Sequence, residues 1–155
     1  MKAEELAIVA ALLRDQRQAA LGTLRDGAPF VSMVAYAAEP GFGGFLLHLS
    51  RLAPHTQHLL ADSRASLLIC AQDDGRDDVQ TLARITLVGA AAPVAGAEQA
   101  AARELYLARL PAAAPLFEFP DFALFRLVPD QARYIGGFAR AFTLTVDHLR
   151  QASAL

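Results

Sequence analysis

Apolar residues recur at helical spacing at the start of the chain: Leu6, Val9 and Leu13 fall on one face, while Glu4, Glu5, Arg14 and Asp15 fall on others. That pattern predicts an amphipathic helix over residues 1–18, lying on something larger. From Ala19 the period changes to two. The run ALGTL, the turn Arg25-Asp26-Gly27 and the run PFVSMVAYA predict a hairpin with an Asp-Gly turn. Gly41 to Leu49 predicts a glycine-rich turn and a third strand, and Leu52 to Ser63 a short helix with Pro54 in its first turn. Ala65 to Ala71 is apolar on both faces and predicts a central strand, followed by a polar loop from Gln72 to Gln80.

Ala83 to Val94 alternates most regularly. Ile85 and Leu87 face one way, Arg84 and Thr86 the other, and Gly89 marks a bulge or bend. Gly96 to Leu110 predicts a helix stopped by Pro111 and Pro115. Three further short strands follow, DFALFRLVP, ARYIGG and AFTLTV, and then a terminal helical turn. Seven or eight strands joined mostly by turns, with helices outside, indicate an α+β fold built on an antiparallel barrel. One domain is expected over residues 1–155: a helix (1–18), a barrel (19–146) and a C-terminal turn (147–155).

Composition narrows the function classes. Hydrophobic residues are 54% and charged residues 19%, which excludes a disordered chain. Fourteen basic against 16 acidic residues, a net charge of -2, argue against a nucleic-acid surface. Cys70 stands alone, so no internal disulfide forms, and a buried structural thiol in a reducing compartment is expected. The start carries Glu4 and Glu5 and lacks a secretory pattern, and no apolar run approaches the ~18 residues of a membrane span. A cytoplasmic protein with no membrane partner is the expectation.

Few residues advertise chemistry. His48, His55 and His58 could meet, but no Cys or acid completes a metal set, so no metal is expected and the helix histidines read as surface residues, as does His148. The carboxylates of QDDGRDDVQ read as a solvated loop. At the strand-to-helix join, Ser50, Arg51, His55 and Thr56 could cradle a phosphate monoester, or Ser50 could merely cap the helix. Near the other end, Gly136-Gly137 with Phe138 and Arg140 permits either the approach of a flat ligand or an ordinary tight turn.

The segments ALGTLRDGAPFVSMVAYA, LLHLSRLAPHTQHLLADSRASLLI, ARITLVGAAAPV and DFALFRLVPDQARYIGGFARAF, in this order, resemble the pyridoxamine 5'-phosphate oxidase-like FMN-binding split barrels. Within them the chain is most similar to the haem-utilisation (HugZ-type) branch, on the Leu-Ser-x-Leu-Ala-x-His-Thr and Gly-Gly-Phe-x-Arg-Ala stretches. The resemblance implies a homodimer with FMN in the groove between two chains, haem being the less expected ligand. It implies phosphate contacts from Ser50 and Arg51, followed by His55 and Thr56, and a flavin-lining strand at Phe30 to Val34 that includes Ser32 and Met33. Arg84 would contact the flavin, and Gly137, Phe138 and Arg140 would reach it from the partner chain. Oxidase-type members place a Lys where this chain has Leu52, which implies a phosphate anchor that is weaker or differently arranged. The implied function is an FMN-dependent oxidoreductase acting on a small molecule, the alternative a non-catalytic FMN or haem carrier.

Overall fold

The computed structural model describes residues 1–155. In chain order the elements are α1 (Ala3–Asp15), β1 (Gln18–Arg25), β2 (Ala28–Ala35), β3 (Ala37–Ala38), β4 (Phe45–Ser50) and α2 (Pro54–Ala61). They continue as β5 (Arg64–Cys70), β6 (Arg84–Pro93), α3 (Gln99–Arg109), β7 (Phe122–Ile135), β8 (Ala141–Thr145) and α4 (Val146–Ser153). A 3₁₀ segment, Pro111–Glu118, joins α3 to β7. The α+β architecture read from the sequence is the one observed.

All strand pairs are antiparallel, in the order β2-β1-β5-β6-β7-β4-β3, with β8 added on β7. Its closure rests on one short stretch of chain. β2 and β3 are a single run broken at Tyr36; the run pairs with β1 before the break and with β4 after it. The two ends of the sheet are therefore joined through the backbone, which curls the sheet into a barrel. Tyr36 is buried, and its hydroxyl donates to the Leu13 carbonyl at 2.9 Å, tying α1 to that seam.

Leu21, Leu47, Leu67, Ile85, Leu87 and Phe125 fill the barrel with no accessible surface, at alternate positions along their strands. α1 adds Leu6, Val9, Leu12 and Leu13, the face its spacing predicts. A second, smaller cluster lies outside the sheet, where α3 lays Ala102 and Tyr106 over Leu46 and Leu124. The Asp-Gly hairpin turn is present, with Asp26 at φ 50° and Gly27 at φ 79°, the left-handed pair of a two-residue turn.

Four readings of the sequence need correction. The expected separate strands DFALFRLVP and ARYIGG are one 14-residue strand, β7. A proline normally ends a ladder, but Pro129 sits opposite Gly89, where the register shifts and Asp130 is left over. The bulge absorbs the missing N–H. Cys70 is exposed rather than core: Ala65, Leu67 and Ile69 point inward, so Leu68 and Cys70 point out. The C-terminal turn is a two-turn helix, capped by Thr145, whose hydroxyl accepts from the His148 N–H at 3.3 Å. His148 is thus a partly buried capping residue, not a freely solvated one.

Candidate functional site

α2 packs across the end of the β1–β2 hairpin, and hydroxyls fix its two histidines. Ser32 pairs with Leu21 and Thr23 with Phe30, so both hydroxyls share the core-facing side of the sheet. Ser32 Oγ lies 3.0 Å from His55 Nδ1, and Thr23 Oγ1 lies 2.9 Å from His58 Nδ1. Phe30 meets the His58 ring edge-on, with centroids 5.0 Å apart. His58 is buried and His55 is partly buried, so the expected pair of surface histidines is instead a packed one. His55 Nε2 takes no partner and is not enclosed, so one ring nitrogen is held and the other opens outward. Thr56 is fully buried with an unpartnered Oγ1; Arg51 is exposed and makes no ion pair.

Ser50 does not join this corner. Leu47 and Leu49 of β4 enter the main core, so the alternation turns Leu46, His48 and Ser50 to the face covered by α3. Ser50 Oγ donates to Asp121 Oδ2 at 2.7 Å and accepts from the Leu52 N–H at 3.2 Å. It is not the helix cap either; that position is Ala53, with no side-chain bond.

The remaining sequence candidates lie elsewhere on the barrel. Arg84 donates to the carbonyls of Gln80, at 2.7 Å, and Leu82, at 3.1 Å. Beyond β7, Phe138 is 94% exposed, Gly137 has φ +127°, and Arg140 Nη2 sits 3.5 Å from Glu5 Oε1. Ser50 pairs with Phe122 and Arg84 with Ile135, the two ends of β7. At about 3.3 Å per residue those ends are roughly 40 Å apart along the strand. One chain cannot bring Arg51 and Phe138 to the same small ligand. Met33, 71% exposed, shares the outer sheet face with Val31, Leu68 and Val88, an uncharged stripe.

Burial, and secondarily neighbouring His58, holds the His55 pKa below its usual value. His48 is held down by burial and then by Arg103. Both rings therefore bind protons more readily in the unfolded chain, whose histidines titrate near pH ~6.5. Their contribution to stability is complete above that value and falls as pH drops through it toward the lower folded values. Urea midpoints are accordingly expected to decline from pH 7.5 to 5.5, with a shallower decline in a His48→Phe, His55→Phe double variant. Cys70 lies on the exposed face, yet the neighbouring strands still desolvate its thiol enough to push its pKa up, with Arg84 opposing, so it is no ready nucleophile.

Sequence reasoning passed over Thr23 and Asp121, and it read His58 as a surface residue. Thr23 carried a faint signal, a polar side chain at a position whose alternation with Leu21 demands the interior. Asp121 had none, being 71 residues from Ser50.

A family model described as "CREG, beta-barrel" matches residues 1–149. The chain is 42% identical over 117 residues to the non-canonical heme oxygenase HOZ, chloroplastic, of Arabidopsis thaliana, covering 76% of this chain and 35% of that protein. It superposes on the heme binding protein from Mycobacterium smegmatis with a TM-score of 0.85 and 31% identity, over 97% of this chain and 60% of that one. A protein of the pyridoxinephosphate oxidase family from Clostridium acetobutylicum shares the fold at 17% identity and a TM-score of 0.73, over 96% and 99% of the two chains. This chain spans about a third and three-fifths of the lengths of the first two relatives.

Proposed function

The chain belongs to the CREG β-barrel family, and from that premise we propose that it is a haem-binding protein, one that holds or delivers the macrocycle at the α2 corner. The observation that carries this reading is the Ser32–His55 bond. A hydroxyl fixes Nδ1 while Nε2 of a neutral, partly exposed imidazole stays open, which is the arrangement an iron ligand requires. The same corner carries Leu52, 81% exposed on the join into α2, and Phe30, which packs on His58, apolar surface for a flat ring, and the Arg51 guanidinium, free of ion pairs, a partner for a propionate. The residues present fit the group. Bound haem would supply a redox-active iron; His55 would hold that iron, Arg51 a propionate, and Phe30 and Leu52 the apolar ring. Two of the similar proteins are described as a heme oxygenase and a heme binding protein, which supports the same ligand.

Haem is favoured over FMN by Asp121. The serine of the sequence-predicted cradle already donates to a carboxylate, and that negative charge opposes a phosphate dianion beside it. Titrating the purified chain with haemin and with FMN tests the choice. A saturable Soret band is expected, with FMN binding at least roughly tenfold weaker; tighter FMN binding would overturn it.

We further propose that a second copy covers the Val31, Met33, Leu68 and Val88 stripe. A homodimer would carry the partner's Gly137, Phe138 and Arg140 toward this chain's α2 corner, a juxtaposition the length of β7 denies to one chain. Met33→Glu places a charge in that stripe and is expected to convert the dimer to a monomer in sedimentation. A monomeric parent chain would remove the proposal.

A further inference from the structure

On the opposite side of the sheet from the α2 corner, a hollow of about 410 Å³ opens between α3, the 3₁₀ segment and the outer face of β4 and β7. The proposed haem site makes no use of it. Its floor is His48, turned there because Leu47 and Leu49 take the core side of β4. The Phe117 ring lies parallel to the imidazole, 3.8 Å away and inclined by 9°, and Phe122 stands 5.2 Å off. These rings and Leu124 give apolar walls.

The polar groups are few. His48 Nδ1 is buried without a partner, although buried nitrogens are nearly always paired. The Arg103 guanidinium sits 4.9 Å from the Phe117 ring centre. Its acidic neighbour Glu118 is 3.9 Å away with both side chains well exposed, a weak pairing that leaves the cation available. Gln99 Nε2 donates to the Val94 carbonyl at 2.8 Å, leaving its amide oxygen free.

We propose that this hollow is a second small-molecule site, taking a planar aryl carboxylate with its ring against Phe122 and Leu124 and its carboxylate on Arg103. The chemistry selects the class. Apolar walls accept a flat ring, and one cation matches a single carboxylate rather than a phosphate dianion. The volume falls at the small end of ligand pockets, which suits one or two fused rings. Burial, and then Arg103, hold the His48 pKa down, so the charge that meets the carboxylate is the Arg103 guanidinium.

2-Naphthoate is the probe, titrated into the full chain while NMR follows the His48 and Phe117 ring signals. Saturable shifts of both are expected. Arg103→Gln should weaken binding about tenfold, the scale of one charge-assisted hydrogen bond, while taking up haemin like the parent, which shows the variant is folded. The uncharged 2-naphthamide should bind the unaltered protein similarly weakly. Equal binding of acid and amide, an unchanged Arg103→Gln affinity, shifts confined to His55 and Phe30, or no saturable shift would each overturn the proposal.

Discussion

His55→Ala is expected to lower haemin affinity roughly 100-fold, the upper end of what disturbing a metal-ligand shell costs. The spectrum of an imidazole-ligated iron should disappear with it. The expectation rests on a division of labour within one ring. Ser32 occupies Nδ1 at 3.0 Å, so the lone pair presented outward belongs to Nε2, and burial keeps it unprotonated at neutral pH. Alanine removes the ligand and leaves Arg51, Phe30 and Leu52 in place, so residual binding without the ligated spectrum should remain. Added imidazole should restore the spectrum by entering the vacated space. Ser32→Ala should do less, a loss nearer tenfold with ligation retained, because it frees the ring without deleting it. If His55→Ala keeps the parent spectrum, the iron ligand lies elsewhere.

The largest effect on stability is expected from Gly89→Ala. Gly89 stands at the register shift between β6 and β7, and a Cβ there would run into the Val128 carbonyl oxygen and to within 2.9 Å of the Pro129 Cα. Both obstacles are backbone, so no side-chain rotation relieves the clash. β6 and β7 are the longest strands, and their ladder runs from Arg84–Ile135 to Pro93–Phe125. Relief would require them to separate. A loss above about 3 kcal/mol is expected, in the range where overpacking meets a broken backbone constraint. Chemical denaturation measures it; a change under about 1 kcal/mol would mean that the bulge is far more compliant than its packing implies.

The first three helices, the Asp-Gly hairpin, the Gly89 bulge and the core face of β6 were all legible in the sequence. Each depends on neighbours within about ten residues, and period and turn chemistry report such neighbours directly. β7 was misread because Pro129 is a breaker locally and is tolerated only opposite Gly89, 40 positions away. Cys70 was misread because an apolar run does not declare which of its faces is covered; Leu68 and Cys70 lie on the open one.

The site divides along the same line. That Arg51, His55 and Thr56 lie close was set by the short join into α2, a local matter. That His55 is held by Ser32 and His58 by Thr23 was decided by the docking of α2 on a hairpin more than 20 residues earlier. The strand alternation that removes Ser50 from the corner is written in FLLHLS, but it acquires a direction only once the barrel interior and α3 claim opposite faces. Periodicity along a chain states which residues share a side. Which side meets core, solvent or ligand follows from what the rest of the fold packs against it.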